Sequence, residues 1–306
     1  MSHDPIAPVV QPQETKQPDN LRGLIYMALA FFLFAASDAQ VKVLTSSLHP
    51  IQIVWTRQLG LLLGVLILLA IKGPQILQTR HPVLQITRGV LAVFSAVFFV
   101  FAISYVPLAD AVAVSFVAPF MVTVMGALFL REPVGIRRWS AIAIGFIGTL
   151  IIIRPGLGLV HPAMMLVVLA ATCFAARQVL SRGLAATDRT STTVAYTAIA
   201  SVALLTLPLP FVWITPETPQ QILLLISVAA FAALGELLVI KALEIALAVV
   251  LAPVHYSLII WGTLYGWLIF GQFPDKWTSI GALIILATGV YVLNRERQLS
   301  RRMKPV

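Results

Sequence analysis

Residues 103–155 read ISYVPLADAVAVSFVAPFMVTVMGALFLREPVGIRRWSAIAIGFIGTLIIIRP. A short linker leads into an apolar helix over Leu108–Leu130. The Arg131-Glu132-Pro133 break follows, then a second apolar helix over Trp139–Ile153. The phrase returns near the other end of the chain, at an offset of about 140 residues. Leu108–Leu130 is echoed by Ala248–Phe270, Glu132 by Gln272, Trp139 by Trp277 and Gly148 by Gly289. A period near half the chain length means two structural halves, where a solenoid would show many short repeats.

Composition sets the solvent. Of 306 residues, 59% are hydrophobic and 11% charged, against about a quarter charged in a soluble domain, and the mean hydropathy is +0.94. Too little polar side chain is present to cover a water-facing surface, whereas a bilayer removes that need. The net charge of +9 does not point to nucleic acid, because the basic residues sit in short loops between apolar runs and form no stripe. Cys173 is the only cysteine, so no intramolecular disulfide is possible. Residues 1–20 are polar and Pro-rich (Pro5, Pro8, Pro12, Pro18), unlike a cleavable signal, and read as a disordered tail.

Ten spans of roughly membrane-crossing length follow: Leu21–Leu44, Ile51–Ile71, Val83–Tyr105, Leu108–Leu130, Trp139–Ile153, Met164–Leu180, Thr192–Ile214, Gln221–Leu243, Ala248–Phe270 and Trp277–Leu293. The expected fold is an all-α membrane protein, with five-helix repeats over 21–155 and 156–293 and a basic tail over 294–306. Lys16, Arg22, Lys72, Arg80, Arg131, Arg137, Arg138, Arg182, Arg189, Lys241, Arg295, Arg297, Arg301, Arg302 and Lys304 fall on one side of that arrangement. Only Arg154 and Lys276 fall on the other. The positive-inside rule then places both termini in the cytoplasm. Five spans per repeat is odd, so the second repeat runs upside down relative to the first. Inverted repeats hold their substrate near the midplane, between the halves.

Ionisable side chains inside spans are expensive and are functional candidates. By depth, Asp38, Lys42 and Arg57 form an outer cluster, and Arg88, Arg177, Glu236, Glu244 and His255 an inner one. Arg57, Arg88, Glu236 and His255 are expected to serve as gating or ion-pair groups, with Glu236 within reach of His255, Arg88 or Arg177. The alternative for each is a purely structural pair or a snorkelling side chain. His255 and Tyr256 match Ser115 and Phe116 of the first half, and His255 suits a coupling group or a structural histidine making two hydrogen bonds. Span 3 carries Arg88, Ser95, Phe99 and Ala102 on one stripe, a small, polar and aromatic face suited to an amphiphilic organic solute.

The charges of Asp38 and Arg177 lie about 15 Å apart along the membrane normal by residue count, too far for one amino acid to bridge. Ser37, Ser95, Gln178 and Tyr256 are therefore expected to hold the charged end of a substrate, with Phe98, Phe99, Phe174 and Trp261 supplying the wall. Gly60-x-x-x-Gly64 and Gly262-x-x-x-Gly266 permit close helix contact. Pro119, in the middle of span 4, is a kink site available to a gate. No nucleophile elbow, phosphate loop, zinc-protease motif or nucleotide domain is visible, so no enzyme, metal or cofactor is expected.

The five-plus-five repeat resembles the drug/metabolite transporter superfamily, EamA-type branch, over Leu21–Leu293. The likeness rests on Lys42, Pro50 and Arg57 across spans 1 and 2, Arg88 opening span 3, Ala111–Pro119 in span 4, and Leu130-Arg131-Glu132 before a Gly-spaced span 5. Gln272 departs from the acidic residue usual at the place matching Glu132. Within the branch the chain looks similar to aromatic amino-acid exporters of bacterial inner membranes. The resemblance implies a basket around a central cavity, alternating access, and export of amino acids and other metabolites. The remaining readings are an exporter of cationic drugs, an importer of a metabolite such as S-adenosylmethionine, and a non-transporting scaffold.

Overall fold

The computed structural model describes residues 19–130, 135–154, 161–184, 187–246 and 248–302. The Arg131-Glu132-Pro133 break, the Pro155-Gly156 turn and most of the polar N-terminal tail lie outside the described residues.

Every regular element among the described residues is helical. The first half holds α1 (Asn20–Leu44), α2 (Pro50–Lys72), α3 (Pro82–Ile103), α4 (Leu108–Ser115), α5 (Ala118–Phe129) and α6 (Ile136–Ile153). The second holds α7 (Met164–Leu184), α8 (Thr190–Thr206), α9 (Leu209–Val212), α10 (Pro219–Ile245), α11 (Ala248–Leu251), α12 (Ser257–Phe270) and α13 (Lys276–Arg302). Starts and stops follow local chemistry. Proline occupies the first turn of α2, α3 and α10, where its missing N–H costs nothing. Thr218 and Gln221 form a reciprocal capping box on α10. Gly73, at φ +74°, ends α2 in a conformation that disfavours a Cβ.

Six helical stretches are long and apolar enough to cross a bilayer: Asn20–Leu44, Pro50–Lys72, Pro82–Ile103, Leu108–Phe129, Met164–Leu184 and Pro219–Leu243. Trp139–Ile153, Thr190–Thr206 and Lys276–Val292 are shorter apolar helices. The expected span over 192–214 is interrupted, because Pro208 and Pro210 follow α8 and leave only the single turn of α9. The last helix continues past Leu293 to Arg302. Two stretches are broken at matching places. Pro119 leaves the α4–α5 junction with short-range backbone bonds (Phe116 N–H to Ala113 O, Val117 N–H to Val114 O). Pro253 sits in a 3-10 turn over Ala252–Tyr256 that joins α11 to α12.

Helix pairing carries the repeat. α1 packs on α10 and α3 on α7; α2 packs on α10 and α3 on α8; α1 packs on α12 and α5 on α7. Exchanging the two halves turns each of these contacts into its mate. The α6–α13 and α2–α8 contacts map onto themselves. The chain is therefore a pseudo-twofold duplication in space as well as in sequence. Its outer surface is apolar, with Leu63, Leu66 and Ile67 of α2, Leu223 and Ile226 of α10 and Leu283 of α13 all exposed. Hydrocarbon solvates that surface and water does not.

Candidate functional site

A central cavity of about 400 Å³ lies between the halves. Asp38, Arg57, Arg88, Ser95, Phe99, Phe116, Pro119, Phe174, Arg177, Glu236 and His255 all border it. The outer and inner clusters read from depth thus share one chamber. Arginine side chains reach several ångströms along the helix axis, which depth counted on Cα positions ignores.

Each charge has its own surroundings. Arg57 of α2 donates to Asp38 of α1 at 2.9 Å, an ion pair whose two side chains remain 21% and 16% exposed. Lys42 does not join them. Its ammonium donates to the Ile103 and Val106 carbonyls and lies 5.4 Å from the Phe270 ring centroid. It therefore satisfies carbonyls left free at the C-terminus of α3. Arg88 is buried and donates to Ser181 Oγ at 2.6 Å, to the Thr193 carbonyl at 3.3 Å and to Thr197 Oγ1, tying α3 to α7 and α8. Arg177 lies over the Phe174 ring at 4.8 Å, one turn back on α7. Glu236 of α10 is close enough to attract both Arg88 and Arg177 through space.

His255 is held by rings. Phe31 meets it edge-on at 4.6 Å between centroids and Phe116 at 5.8 Å. Phe116 also stacks on Tyr256 at 5.3 Å. Beyond this group lies a second cavity of about 400 Å³, bordered by Thr123, Gln178, Arg182, Tyr256 and Gly289. Phe31, Phe116, Pro119, Phe174 and His255 border both chambers and form the partition between them.

Some expected wall residues lie elsewhere. Ser37 is fully buried and donates to the Val228 carbonyl of α10 at 3.5 Å. Phe98 stacks on Phe94, which is 44% exposed on the outer surface. Trp261 meets Phe32 edge-on at 5.2 Å, with its Nε1 buried and unpartnered. Gln178 and Tyr256 border the second cavity rather than the central one. In both small-residue motifs only one glycine is tightly packed. A Cβ on Gly60 would come within 2.2 Å of the Ala229 carbonyl oxygen and one on Gly262 within 3.0 Å of Val112, whereas Gly64 has open space. The side chain of Glu244 lies outside the described residues.

Two polar groupings at the bundle ends were missed. At one end Arg154 pairs with Asp275 at 2.5 Å, and Asp275 also accepts the Thr278 N–H at 2.7 Å, capping α13. Burial works to raise the Asp275 carboxyl, but the Thr278 N–H and Arg154 outweigh it and hold it below the usual range. Asp110, at the start of α4, interacts with the same group and with Lys42. At the other end Asp188, between α7 and α8, accepts from Thr79 Oγ1 at 2.5 Å and Gln85 Nε2 at 2.7 Å. Each of these acids sits within a few residues of a span end, where charge is ordinarily solvated, and no spacing marks it. No group of three or more potential metal ligands was found among the described residues.

The model of the EamA-like transporter family matches residues 21–154 and again 161–295. The S-adenosylmethionine uptake transporter of Rickettsia bellii is 26% identical, over 90% of this chain and 94% of that protein. The riboflavin transporter of Vibrio cholerae is 30% identical, over 94% and 97%. The pseudopaline exporter CntI of Pseudomonas aeruginosa is 29% identical, over 86% and 93%. A solved crystal structure superposes with a TM-score of 0.63 at 16% identity, over 90% of this chain and 98% of that one, a likeness of fold alone.

Proposed function

Since the chain belongs to the EamA-like transporter family, and is a membrane transporter rather than an enzyme, we propose that it exports amino acids, aromatic ones preferred, and related metabolites through the central cavity by alternating access. The observation that carries this reading is the lining of that cavity. Aromatic rings from Phe99, Phe116 and Phe174 stand beside charges of both signs on Arg177 and Glu236. A zwitterion with an apolar body needs an anion, a cation and a greasy wall within one small space. Apolar walls discriminate by only about 1–3 kcal/mol per methylene, so the substrate range is broad.

In this reading ten stretches cross the inner membrane of a bacterium, with both termini cytoplasmic and the repeats inverted. The distribution of Lys and Arg supports it, as does the exchange symmetry of the helix contacts. A periplasm-dependent reporter fused after Val306 stays silent; activity there overturns the orientation.

A second reading, uptake of S-adenosylmethionine, is favoured by the Rickettsia relatives. That molecule also carries an amino-acid end, joined to an aromatic base. Counterflow in proteoliposomes separates the two. Preloaded tryptophan accelerates entry of labelled tryptophan if the first reading holds, and preloaded S-adenosylmethionine does so for its own label if the second does. A protein that accelerates neither is no carrier of this class.

A further inference from the structure

Arg177 is a cation facing the central cavity with its hydrogen-bonding capacity unspent. Its Nε is sealed from solvent and has no acceptor, and its guanidinium rests on the Phe174 ring. The other cavity arginines are occupied, Arg57 by Asp38 and Arg88 by Ser181, Thr193 and Thr197. Glu236 attracts Arg177 through space, but no ion-pair contact joins them among the described residues. A buried N–H without an acceptor is costly, and an anionic ligand seated against the cavity side of the guanidinium offsets that cost.

The chemistry of that acceptor follows from the geometry of the fork. A guanidinium seated over an aromatic face keeps the N–H donors of its rigid planar fork available to an acceptor beside the ring. A planar edge of parallel donors is matched by a carboxylate, two oxygens wide, in a bidentate charge-assisted contact. Glu236, acceptor-only when ionised and free of any ion-pair contact among the described residues, suits an ammonium. Arg177 and Glu236 together therefore fit the two ends of an α-amino acid, whereas Asp38, spent on Arg57, is not available to it.

We propose that Arg177 is the receptor for the carboxylate of the transported solute, and that Glu236 faces its ammonium group. The assignment rests on the central cavity being the transport site, and it makes a free carboxylate a requirement for tight recognition.

The test uses the full-length protein in proteoliposomes, with labelled tryptophan and three competitors: tryptophan, tryptophan amide and tryptamine. The two competitors that lack the carboxylate are expected to compete at least about tenfold more weakly than tryptophan, the scale of one charge-assisted contact. Arg177→Gln raises the half-saturation for tryptophan about tenfold or more and leaves the weak tryptamine competition unchanged. Arg177→Lys, which keeps the charge and loses the fork, falls between. Equal competition by tryptophan and its amide in the wild type overturns the assignment, and so does an Arg177→Gln protein that loses all ligands equally while melting like the wild type. If Arg177→Gln does not fold, the wild-type panel and Arg177→Lys decide. If tryptophan is not carried at all, the proposed substrate fails separately. Fluorescence titration with S-adenosylmethionine and its decarboxylated form then tests Arg177 alone: preference for the intact form in the wild type, reduced in Arg177→Lys, upholds the carboxylate receptor, and binding of neither form, or of both equally, by the wild type removes it.

Discussion

Phe116 and Tyr256 stack ring on ring, with centroids 5.3 Å apart and planes 24° from parallel. They are 140 residues apart, occupy equivalent places in the two repeats, and each lies where its helix is broken, so the pseudo-twofold axis passes close to their contact. The stack belongs to the partition between the two cavities. Phe116 is only 4% exposed, and truncating a buried aromatic costs about 3–5 kcal/mol. Phe116→Ala is expected to lower the melting temperature in detergent and to join the chambers, giving tryptophan leak from liposomes without substrate on the far side. Tyr256→Phe keeps the ring and stays tight. A tight Phe116→Ala protein would show that the partition does not gate.

Gly289 gives the same contact a second test. A Cβ there would lie 1.8 Å from Tyr256 Oη, so Gly289→Ala must displace the ring of Tyr256 from its present seat against Phe116. The expected result is slower exchange with the fold intact, measured as counterflow rate at matched reconstitution. Wild-type exchange by Gly289→Ala would mean that the ring moves freely.

Much of the bundle was legible because apolar runs end at prolines. Pro50, Pro82 and Pro219 each open a helix. Rotation about each helix was not legible. Successive residues differ by about 100°, and a helix apolar on every side gives no moment to show which face looks inward. The misses come in adjacent pairs. Asp38 borders the central cavity while Ser37 turns to α10. Phe99 faces inward while Phe98 stacks on Phe94. Arg177 faces the central cavity while Gln178 faces the second.

The Asp38–Arg57 pair predicts an asymmetric response to mutation. Removing one partner strands the other in a half-buried site, which costs about 1–3 kcal/mol once partial exposure is allowed for. Asp38→Asn and Arg57→Gln alone are each expected to destabilise, and the double variant to lose less than the sum of the two. Strict additivity in a double-mutant cycle of melting temperatures would mean the two groups do not interact.

Gly60 and Gly64 share a motif and differ in surroundings. A Cβ on Gly60 would meet the Ala229 backbone, which cannot rotate away. Gly60→Ala is expected to force α2 from α10 and destabilise by more than about 1 kcal/mol, despite the helix propensity gained. Gly64 has nothing within 4 Å, so Gly64→Ala is expected to be neutral or mildly stabilising. Thermal melts of the two variants in one detergent decide it, and equal losses would remove α2–α10 packing as the reason for Gly60.

Asp188 predicts a pH dependence at one end of the bundle. Burial works to raise its carboxyl, but the hydrogen bonds from Thr79 and Gln85, with the nearby His81, outweigh it and hold the folded-state value below the ordinary 3.8. A carboxyl depressed by folding binds its proton more weakly in the native state than in the unfolded one. Its stabilisation is therefore complete above the unfolded value near 3.8 and is lost as pH falls through the lower folded value. The contacts join the loop after α2 and the start of α3 to the α7–α8 connection, so their loss unties the two halves at that end. The wild type is expected to lose melting temperature as pH falls below the unfolded value of 3.8, while Asp188→Asn starts lower and shows less of that acid-dependent loss. Parallel acid profiles for the two proteins would place the acid sensitivity in another carboxylate, with Asp275 of the opposite end, held down by Arg154 and the Thr278 N–H, the next to substitute.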